Sequence, residues 1–306
     1  MRSLLDDTLT ALRDAVPVEH SIRTLAEELH EFRRTLPVEE WRHWATRNLR
    51  EHQLYPVLLE DPFAQHSARR PRGYPGDAEL LDYIYESANV RSSVERSSER
   101  GQRIYGYTHR APAPAAVRSR LALAVEEIER MADGGGRPHI LSVACGHLRE
   151  APQLKSLQAG MLGRFVALDQ DPLSLELVRR DWAHRGVEVR EGSALGIIRT
   201  GRQDLGSFDF IYALGLYDYL SDEAGRRLLA AAVDMLNPGG KVWVANFTED
   251  LWSTGYMEAV MDWWLVYRSE QHLAGMAEYV DRAKIASQRT FFECEKNVAI
   301  LEVVKA

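Results

Sequence analysis

The sequence predicts an α/β protein in which a helical amino-terminal region precedes a mostly parallel β-sheet. Apolar side chains recur at a spacing near 3.6 through residues 1–60, which is typical of amphipathic helices. From residue 138 onward, short apolar segments alternate with helical ones, as in βαβ units. Two apolar segments flank Lys296 and Asn297, and this pattern predicts a carboxyl-terminal antiparallel hairpin.

The amino-terminal region is predicted to contain three helices. Helical spacing covers residues 3–15 and 20–35, and Pro17 and Pro37 separate the segments. Pro37 suits the first turn of a third helix that runs through about Leu54. These amphipathic helices fit either a dimerising bundle or a lid over a binding site, and their periodicity does not distinguish the two.

A stretch rich in proline, glycine and arginine occupies residues 61–77. Most such stretches are solvated loops, but rigid turn residues mixed with hydrogen-bonding side chains are also typical of loops that carry function. Residues 73–77, with the sequence Gly-Tyr-Pro-Gly-Asp, have this mixed character. We therefore predict that Tyr74 and Asp77 contact a ligand.

The rest of the chain is predicted to form a helix from about Leu80, a polar linker through Ser98 and a long helix over residues 111–132. Three glycines at 134–136 then mark a boundary between a helical lid or substrate domain, residues 1–133, and a ligand-binding domain, residues 134–306. In the second domain, the expected strands are residues 139–144, 164–169, 187–190, 208–214 and 241–247, with a turn at 237–240, a helix over about 255–282 and hairpin strands at 290–294 and 298–304.

Composition limits the classes of function. The net charge of −7 and the pI near 5.8 argue against a nucleic-acid surface, because phosphate binding needs a basic face. No apolar run is long enough to span a membrane, and the first residues carry charges in place of a secretory signal. Two cysteines do not make a disulfide framework, and the sequence indicates no metal site. We therefore expect a cytoplasmic protein.

The turns after the first three strands carry the features of a nucleoside site. Gly146 lies in the first turn, where glycine lets the backbone approach a ligand. Asp169 ends the second strand and can bind both hydroxyls of a ribose, or it can cap the next helix, a task that also suits Asp171. Ser193 and Ala194 follow the third strand, where short side chains suit an adenine edge. The absence of a Gly-rich phosphate loop from the sequence favours an adenosine without a di- or triphosphate.

These segments together resemble the class I S-adenosylmethionine-dependent methyltransferases. The resemblance covers about residues 138–306 and rests on the joint spacing of five segments, residues 140–146, 166–171, 191–194, 208–212 and 236–242. It implies a Rossmann-like class I methyltransferase sheet and S-adenosylmethionine as cofactor. The chain departs from the family at Ser142, where an acid is usual, and at Ala144 and Leu148, where glycines are usual.

The resemblance also implies roles for individual residues. Gly146 would lie beside the methionine moiety, where Glu150 could bind the ammonium group. Asp169 would bind the ribose, and Gln170 would flank the adenine. The complete set of residues implied to bind the cofactor is Ala144, Gly146, Glu150, Asp169, Gln170, Ser193, Ala194 and Leu214, the last at the border of the methyl-transfer channel.

Three motifs, residues 71–77, 144–150 and 215–220, are similar to those of a bacterial subgroup of this family. The subgroup is labelled as biosynthesis proteins for hydroxypalmitic acid methyl ester, an extracellular signal. The likeness spans nearly the whole chain. It implies a small-molecule acceptor, methylated on a carboxylic acid or hydroxyl oxygen in signalling or secondary metabolism, and the amino-terminal helices could support a homodimer.

Methyl transfer needs an acceptor held in line with the sulfonium in a site with little water. Tyrosine faces attract cations, so Tyr74 and Tyr217 are candidates to surround the sulfonium, and we favour this over the alternative that Tyr217 is a core residue. Arg268 could clamp an acceptor carboxylate in bidentate fashion, or pair with a nearby surface acid. With Asp77, these residues form the predicted catalytic set.

Two other functions fit the same pattern of residues. The enzyme could transfer or cyclise the 3-amino-3-carboxypropyl group of the cofactor, which would release 5′-methylthioadenosine. The altered first motif keeps this alternative open, because that motif would hold the amino-acid end of the cofactor. The protein could also be a sensor that binds the nucleoside without turnover.

Overall fold

The chain forms two units in the computed structural model, which describes residues 1–13, 17–201 and 203–306. The first unit contains residues 1–115 and 250–264, and the second contains residues 116–249 and 265–306. The boundary expected from the sequence at residues 133 and 134 differs from this division. A segment that follows the fifth strand, residues 250–264, joins the amino-terminal helices.

The helices in chain order are α1 (Arg2–Arg13), α2 (Val18–Arg34), α3 (Val38–Trp44), α4 (Leu54–Leu58), α5 (Pro62–Arg69), α6 (Ala78–Ile84), α7 (Ala88–Arg96), α8 (Glu99–Thr108), α9 (Pro112–Asp133), α10 (Lys155–Gln158), α11 (Pro172–Trp182), α12 (Ala194–Thr200), α13 (Asp222–Asp234), α14 (Thr254–Ala259) and α15 (Glu270–Gly275). A π-helical turn, Ala45–Leu49, extends α3. The strands are β1 (His139–Val143), β2 (Arg164–Asp169), β3 (Val187–Glu191), β4 (Phe208–Ala213), β5 (Leu236–Phe247), β6 (Ile285–Phe292) and β7 (Val298–Lys305). Within the described residues, no helix combines the length and the apolar character needed to cross a membrane.

Helix α2 lies at the centre of the first unit and packs against α14. A Cβ atom at Gly255 would lie 2.6 Å from backbone atoms of Leu29 and His30, so glycine permits this close approach. The buried carboxylate of Glu258 accepts hydrogen bonds from Arg33 Nε at 2.6 Å and from Trp41 Nε1 at 2.7 Å. Residues 250–264 are therefore part of the core of the first unit.

Residues 61–77 are partly helical, contrary to the expected loop. Asp61 caps α5 by accepting a hydrogen bond from the Phe63 N–H at 2.9 Å, and Pro62 occupies the first turn. The helix ends at Arg70, which has a φ of 47°. The expected polar linker is also wrong, because Ser87 caps helix α7. Positions 14 and 15 of the first predicted helix lie outside the described residues.

The second unit is built on one seven-stranded sheet with the order β3-β2-β1-β4-β5-β7-β6. Strands β1 to β5 are parallel, and β7 pairs antiparallel with both β5 and β6. The predicted class of fold, a parallel sheet closed by a carboxyl-terminal hairpin, is confirmed. The expected turn at residues 237–240 lies within β5, where the register against β4 shifts.

The helix expected over residues 255–282 is interrupted. Helix α14 ends at Ala259, and Asp262 has a left-handed φ of 52°. The backbone N–H groups of Val266 and Arg268 then bond to the Asp218 carbonyl at 2.8 Å and the Phe247 carbonyl at 3.1 Å. Because these N–H groups satisfy the loop after β4 and the end of β5, they are not available for a continuous helix.

Candidate active site

The carboxyl ends of β1 and β4 form the topological switch point of the second unit. The chain runs from β1 to β2 and β3 on one side, and from β4 to β5 on the other. In open α/β sheets, ligands bind in the crevice outside such strand ends. The residues implied to bind the cofactor follow the ends of β1, β2, β3 and β4, so the fold brings them to this edge of the sheet.

The turn after β1 has an alternating left-handed backbone. The backbone φ is 55° at Ala144, 52° at Gly146 and 50° at Leu148. The left-handed conformation costs about 1–2 kcal/mol for a residue with a Cβ atom. The Cys145 N–H donates to the Leu168 carbonyl at 3.1 Å, which ties this turn to β2. Alanine and leucine thus keep the backbone that glycine adopts more readily.

Asp169 joins the turns after β1 and β2. Its side chain accepts hydrogen bonds from the Gly146 N–H at 2.8 Å and the Asp171 N–H at 2.9 Å. Asp171 caps α11 through the Leu173 N–H at 3.1 Å, so Asp169 is not the helix cap. Burial raises the pKa of the Asp169 carboxyl. The arrangement places a hydrogen-bond acceptor at the end of β2, where a ribose diol would be bound.

Glu150 places a second buried carboxyl at the ends of β1 and β4. It accepts hydrogen bonds from the Tyr212 hydroxyl on β4 and from the Ser142 hydroxyl on β1, the latter at 3.3 Å. Burial raises the pKa of Glu150. The carboxyl therefore lies beside Ser142, the position at which related sequences are expected to carry an acid. Sequence reasoning missed Tyr212, because a tyrosine in an apolar strand gives no sign of its partner.

The other residues implied to bind the cofactor follow the ends of β2, β3 and β4. Gln170 is exposed after β2, and Leu214 is half-buried after β4. Ser193 caps α12 through the Gly196 N–H at 3.1 Å, and Ala194 begins that helix. The adjoining Cys145 is kept as a thiol, since burial, followed by the charges of Asp169 and Glu150, raises its pKa well above the usual range. Contact of these residues with a cofactor stays a prediction.

The predicted catalytic residues are not gathered in one unit. Tyr74 and Asp77 lie in the first unit. Tyr74 is half-buried, and the buried Asp77 caps α6 through the Leu80 N–H at 2.7 Å and contacts His66 Nε2 at 2.9 Å. These contacts give Asp77 a structural task. Ligand contact by Tyr74 and Asp77 stays a prediction.

Tyr217 and Arg268 are buried inside the second unit. The Tyr217 hydroxyl donates to the Gly225 carbonyl at 3.1 Å, and its ring belongs to the apolar core. Arg268 is 0% exposed and donates to the carbonyls of Tyr217 at 2.8 Å and Leu220 at 2.6 Å, and to Asp222 Oδ1 at 3.0 Å. An acceptor carboxylate would have to replace these partners. The roles of Tyr217 and Arg268 in catalysis stay predictions.

The first unit contains a small apolar cavity that is partly open to solvent. Aromatic and methionine side chains dominate its lining, which includes Phe63, Tyr107, Trp252, Tyr256, Met257, Met261 and Trp263. Among the described residues, the buried Tyr256 hydroxyl has no hydrogen-bond partner. Thr108, another lining residue, donates to Asp61 Oδ2 at 2.7 Å. Burial raises the pKa of Asp61 to about 7. The lining of this cavity is thus almost wholly apolar, with the Tyr256 hydroxyl as its unpaired polar group among the described residues.

Part of the second unit is similar to a known protein family. Residues 140–240 match a family described as a methyltransferase domain. No curated protein matches the chain. The chain is similar to the structure of a possible exported protein from Bordetella parapertussis, with 15% identity over 84% of this chain and 98% of that chain and a TM-score of 0.54. This likeness shows the fold.

Two further structures have lower TM-scores. The pyocyanin biosynthetic protein is 16% identical over 82% of this chain and 73% of its own, with a TM-score of 0.48. Magnesium protoporphyrin IX methyltransferase from Synechocystis PCC 6803 is 13% identical over 67% of this chain and 92% of its own, with a TM-score of 0.46.

Proposed function

We propose that this chain, an S-adenosylmethionine-dependent methyltransferase with its methyltransferase domain at residues 140–240, methylates an oxygen atom of a small molecule. The observation that supports the assignment of the site is the pair of buried carboxyls, Asp169 and Glu150, at the ends of neighbouring strands. The Asp169 carboxyl suits a ribose diol, and the Glu150 carboxyl suits an ammonium group. S-adenosylmethionine carries both groups.

The hydrogen-bond acceptors at the strand ends fit this cofactor. Asp169 would accept hydrogen bonds from the ribose hydroxyls, and its bond to the Gly146 N–H would hold the turn in place. Glu150, oriented by Tyr212 and Ser142, would accept from the ammonium group. When bound, the cofactor supplies an electrophilic methyl group on a sulfonium centre.

The transfer forms a bond between an acceptor oxygen and the methyl carbon and breaks the bond between that carbon and sulfur, leaving S-adenosylhomocysteine. A carboxylate acceptor needs no base, because it already carries the attacking electron pair. An alcohol or phenol would lose a proton to a base within hydrogen-bond reach. Proximity and exclusion of water would supply most of the rate enhancement.

The acceptor we propose is an apolar carboxylic or hydroxy acid used in signalling or secondary metabolism. Support comes from the similarity of three motifs to the hydroxypalmitic acid methyl ester subgroup and from the apolar cavity of the first unit.

We propose that the amino-terminal region, residues 1–133, serves as the acceptor-binding domain. A homodimer through the amino-terminal helices is part of this proposal, and light scattering after gel filtration would measure its mass.

The test is incubation of the purified protein with S-adenosylmethionine alone, and then with hydroxy fatty acids and aromatic acids, with mass spectrometry of the adenosyl products. S-adenosylhomocysteine that forms only with an acceptor would support the proposal, and the mass of the methylated product would identify the acceptor. Methylthioadenosine formed without an acceptor would instead identify 3-amino-3-carboxypropyl chemistry and overturn methyl transfer.

A further inference from the structure

Arg120 is a buried cation with no assigned role in the site described above. It lies on the part of α9 that belongs to the second unit and is 4% exposed. Its Nη1 atom has no hydrogen-bond partner among the described residues. The acid paired with it is Asp218, whose Oδ2 lies 3.5 Å from Nη1. This distance is longer than a charge-assisted hydrogen bond.

Asp218 is a weak counterion for Arg120. Its other carboxylate oxygen accepts a hydrogen bond from the Phe247 N–H at 2.7 Å. Burial raises the pKa of Asp218 to about 6, although Arg120 opposes the shift. A buried charge is costly unless ion pairing and hydrogen bonds offset its loss of hydration. The guanidinium therefore has capacity for a second anionic partner.

The guanidinium lies at the same edge of the sheet as the candidate cofactor site. Arg120 Nη2 is 3.2 Å from the position that a Cβ atom would occupy at Gly215, which follows the end of β4. The guanidinium carbon is 5.3 Å from the centre of the Phe247 ring, at the end of β5. Glycine at position 215 permits this close approach, because the Cβ atom of any other residue would crowd Nη2.

We propose that Arg120 binds a carboxylate at the carboxyl ends of β4 and β5. The planar guanidinium matches the fork of a carboxylate, and a single negative charge balances the one cation that Asp218 neutralises only in part. The carboxylate belongs either to the amino-acid end of S-adenosylmethionine or to the methyl acceptor. This inference rests on the proposed function.

The first experiment compares two cofactor analogues that differ only in the carboxylate. S-adenosylhomocysteine and its decarboxylated form, 5′-(3-aminopropylthio)adenosine, are titrated into wild type, Arg120→Met and Arg130→Met by calorimetry. Arg130 is the control, because it lies on α9 but is largely exposed and pairs with Glu127. If Arg120 binds the cofactor, Arg120→Met weakens S-adenosylhomocysteine about 10- to 100-fold and leaves the decarboxylated form unchanged.

The second experiment tests the acceptor as the source. Octanoate and 3-hydroxybenzoate are titrated into protein saturated with S-adenosylhomocysteine. Arg120 would be assigned to the acceptor if Arg120→Met loses binding of the free acids but binds each adenosyl analogue with the affinity of wild type. If Arg120→Met alters neither the carboxylate dependence of cofactor binding nor the binding of the free acids, the inference is wrong.

A double variant controls for misfolding, and binding of S-adenosylhomocysteine by wild type tests the proposed function separately. The double variant Arg120→Met, Asp218→Asn removes both charges, so that no unpaired carboxylate is left buried if Arg120→Met alone fails to fold. It is read by the same titrations. Failure of wild type to bind S-adenosylhomocysteine would overturn the proposed function, whereas normal binding without a carboxylate effect would overturn only the role of Arg120.

Discussion

At the residue scale, the turn after β1 shows that residues with a side chain can hold a left-handed backbone. Ala144 and Leu148 hold left-handed φ values at positions where the resemblance leads us to expect glycine. The neighbouring hydrogen bonds of Gly146 to Asp169 and of Cys145 to Leu168 offset the strain. At Ser142, where the resemblance leads us to expect an acid, the hydroxyl donates a hydrogen bond to the carboxyl of Glu150.

Replacement of Glu150 by glutamine is expected to weaken S-adenosylmethionine binding about 10- to 100-fold, because a charge-assisted hydrogen bond to the ammonium group is lost. Burial raises the pKa of Glu150, and a bound cation favours its ionised form. Wild-type affinity should therefore rise with pH through this pKa. The dependence should be flatter in Glu150→Gln. Calorimetry over a pH series measures both effects, and parallel pH profiles would contradict the assignment.

At the element scale, packing of α14 against α2 holds the first unit together. The contact depends on Gly255, and the buried Glu258 adds hydrogen bonds to α2 and α3. Buried ionic networks stabilise a fold only when each group is satisfied. In this cluster, Arg33 and Trp41 both donate to one carboxylate oxygen of Glu258, and a second Arg33 nitrogen bonds the other oxygen at 3.0 Å.

Gly255→Ala is expected to destabilise the protein by about 1–3 kcal/mol, because the new methyl group would overlap the backbone of α2. Thermal unfolding measures the effect as a lowered Tm. Gly275→Ala in α15 is the matched control, since no atom lies within 4 Å of its Cβ position and its φ is −62°. That variant should be neutral or slightly stabilised. Equal Tm values for the two variants would contradict the packing described for α14.

Asp61, the cap of α5, makes the stability of the first unit depend on pH. Burial raises its pKa from 3.8 to about 7 in the folded protein. A raised carboxyl pKa favours folding at low pH, and this contribution is lost as pH rises between about 4 and about 7. Asp61→Asn keeps an acceptor for the Phe63 N–H but cannot ionise. The fall in Tm over this pH range should be several degrees smaller in the variant than in wild type, and an unchanged slope would exclude Asp61 as the titrating group.

At the scale of the whole molecule, each of the two units is built from two separate segments of the chain. The first unit takes residues 250–264 from beyond the fifth strand, and the second unit takes most of α9. A fragment cut at the three glycines would therefore lack α14. Its α2 would lose the helix that covers Leu29, and Arg33 and Trp41 would lose the carboxylate of Glu258.

The fragment of residues 1–133 is accordingly expected to unfold at a lower temperature than a chain in which residues 1–115 are joined by a flexible linker to residues 250–264. Circular dichroism would follow helix content and the sharpness of unfolding in both proteins. An equally cooperative transition at the same temperature in the shorter fragment would show that residues 250–264 are dispensable for the first unit.

Sequence alone determined the features that depend on local pattern and spacing. The alternation of strands and helices, the terminal hairpin, the turn at Gly146 and the placement of Asp169 at the end of β2 all follow from side-chain periodicity and turn chemistry. The sequence leaves the cap of α11 open between Asp169 and Asp171, and the structure assigns it to Asp171, directly before a proline at the first helical position. Neighbouring residues largely determine such features.

Tertiary structure decided which distant side chains meet. No local pattern indicates that Tyr212 bonds to Glu150, that Arg268 is enclosed by carbonyls, or that the N–H groups of residues 266 and 268 break a helix. The partly unpaired charge of Arg120 is visible only when α9 lies over the ends of β4 and β5. The physical reason is that burial and hydrogen bonding depend on groups far apart in sequence, whereas periodicity records only the face on which a side chain lies.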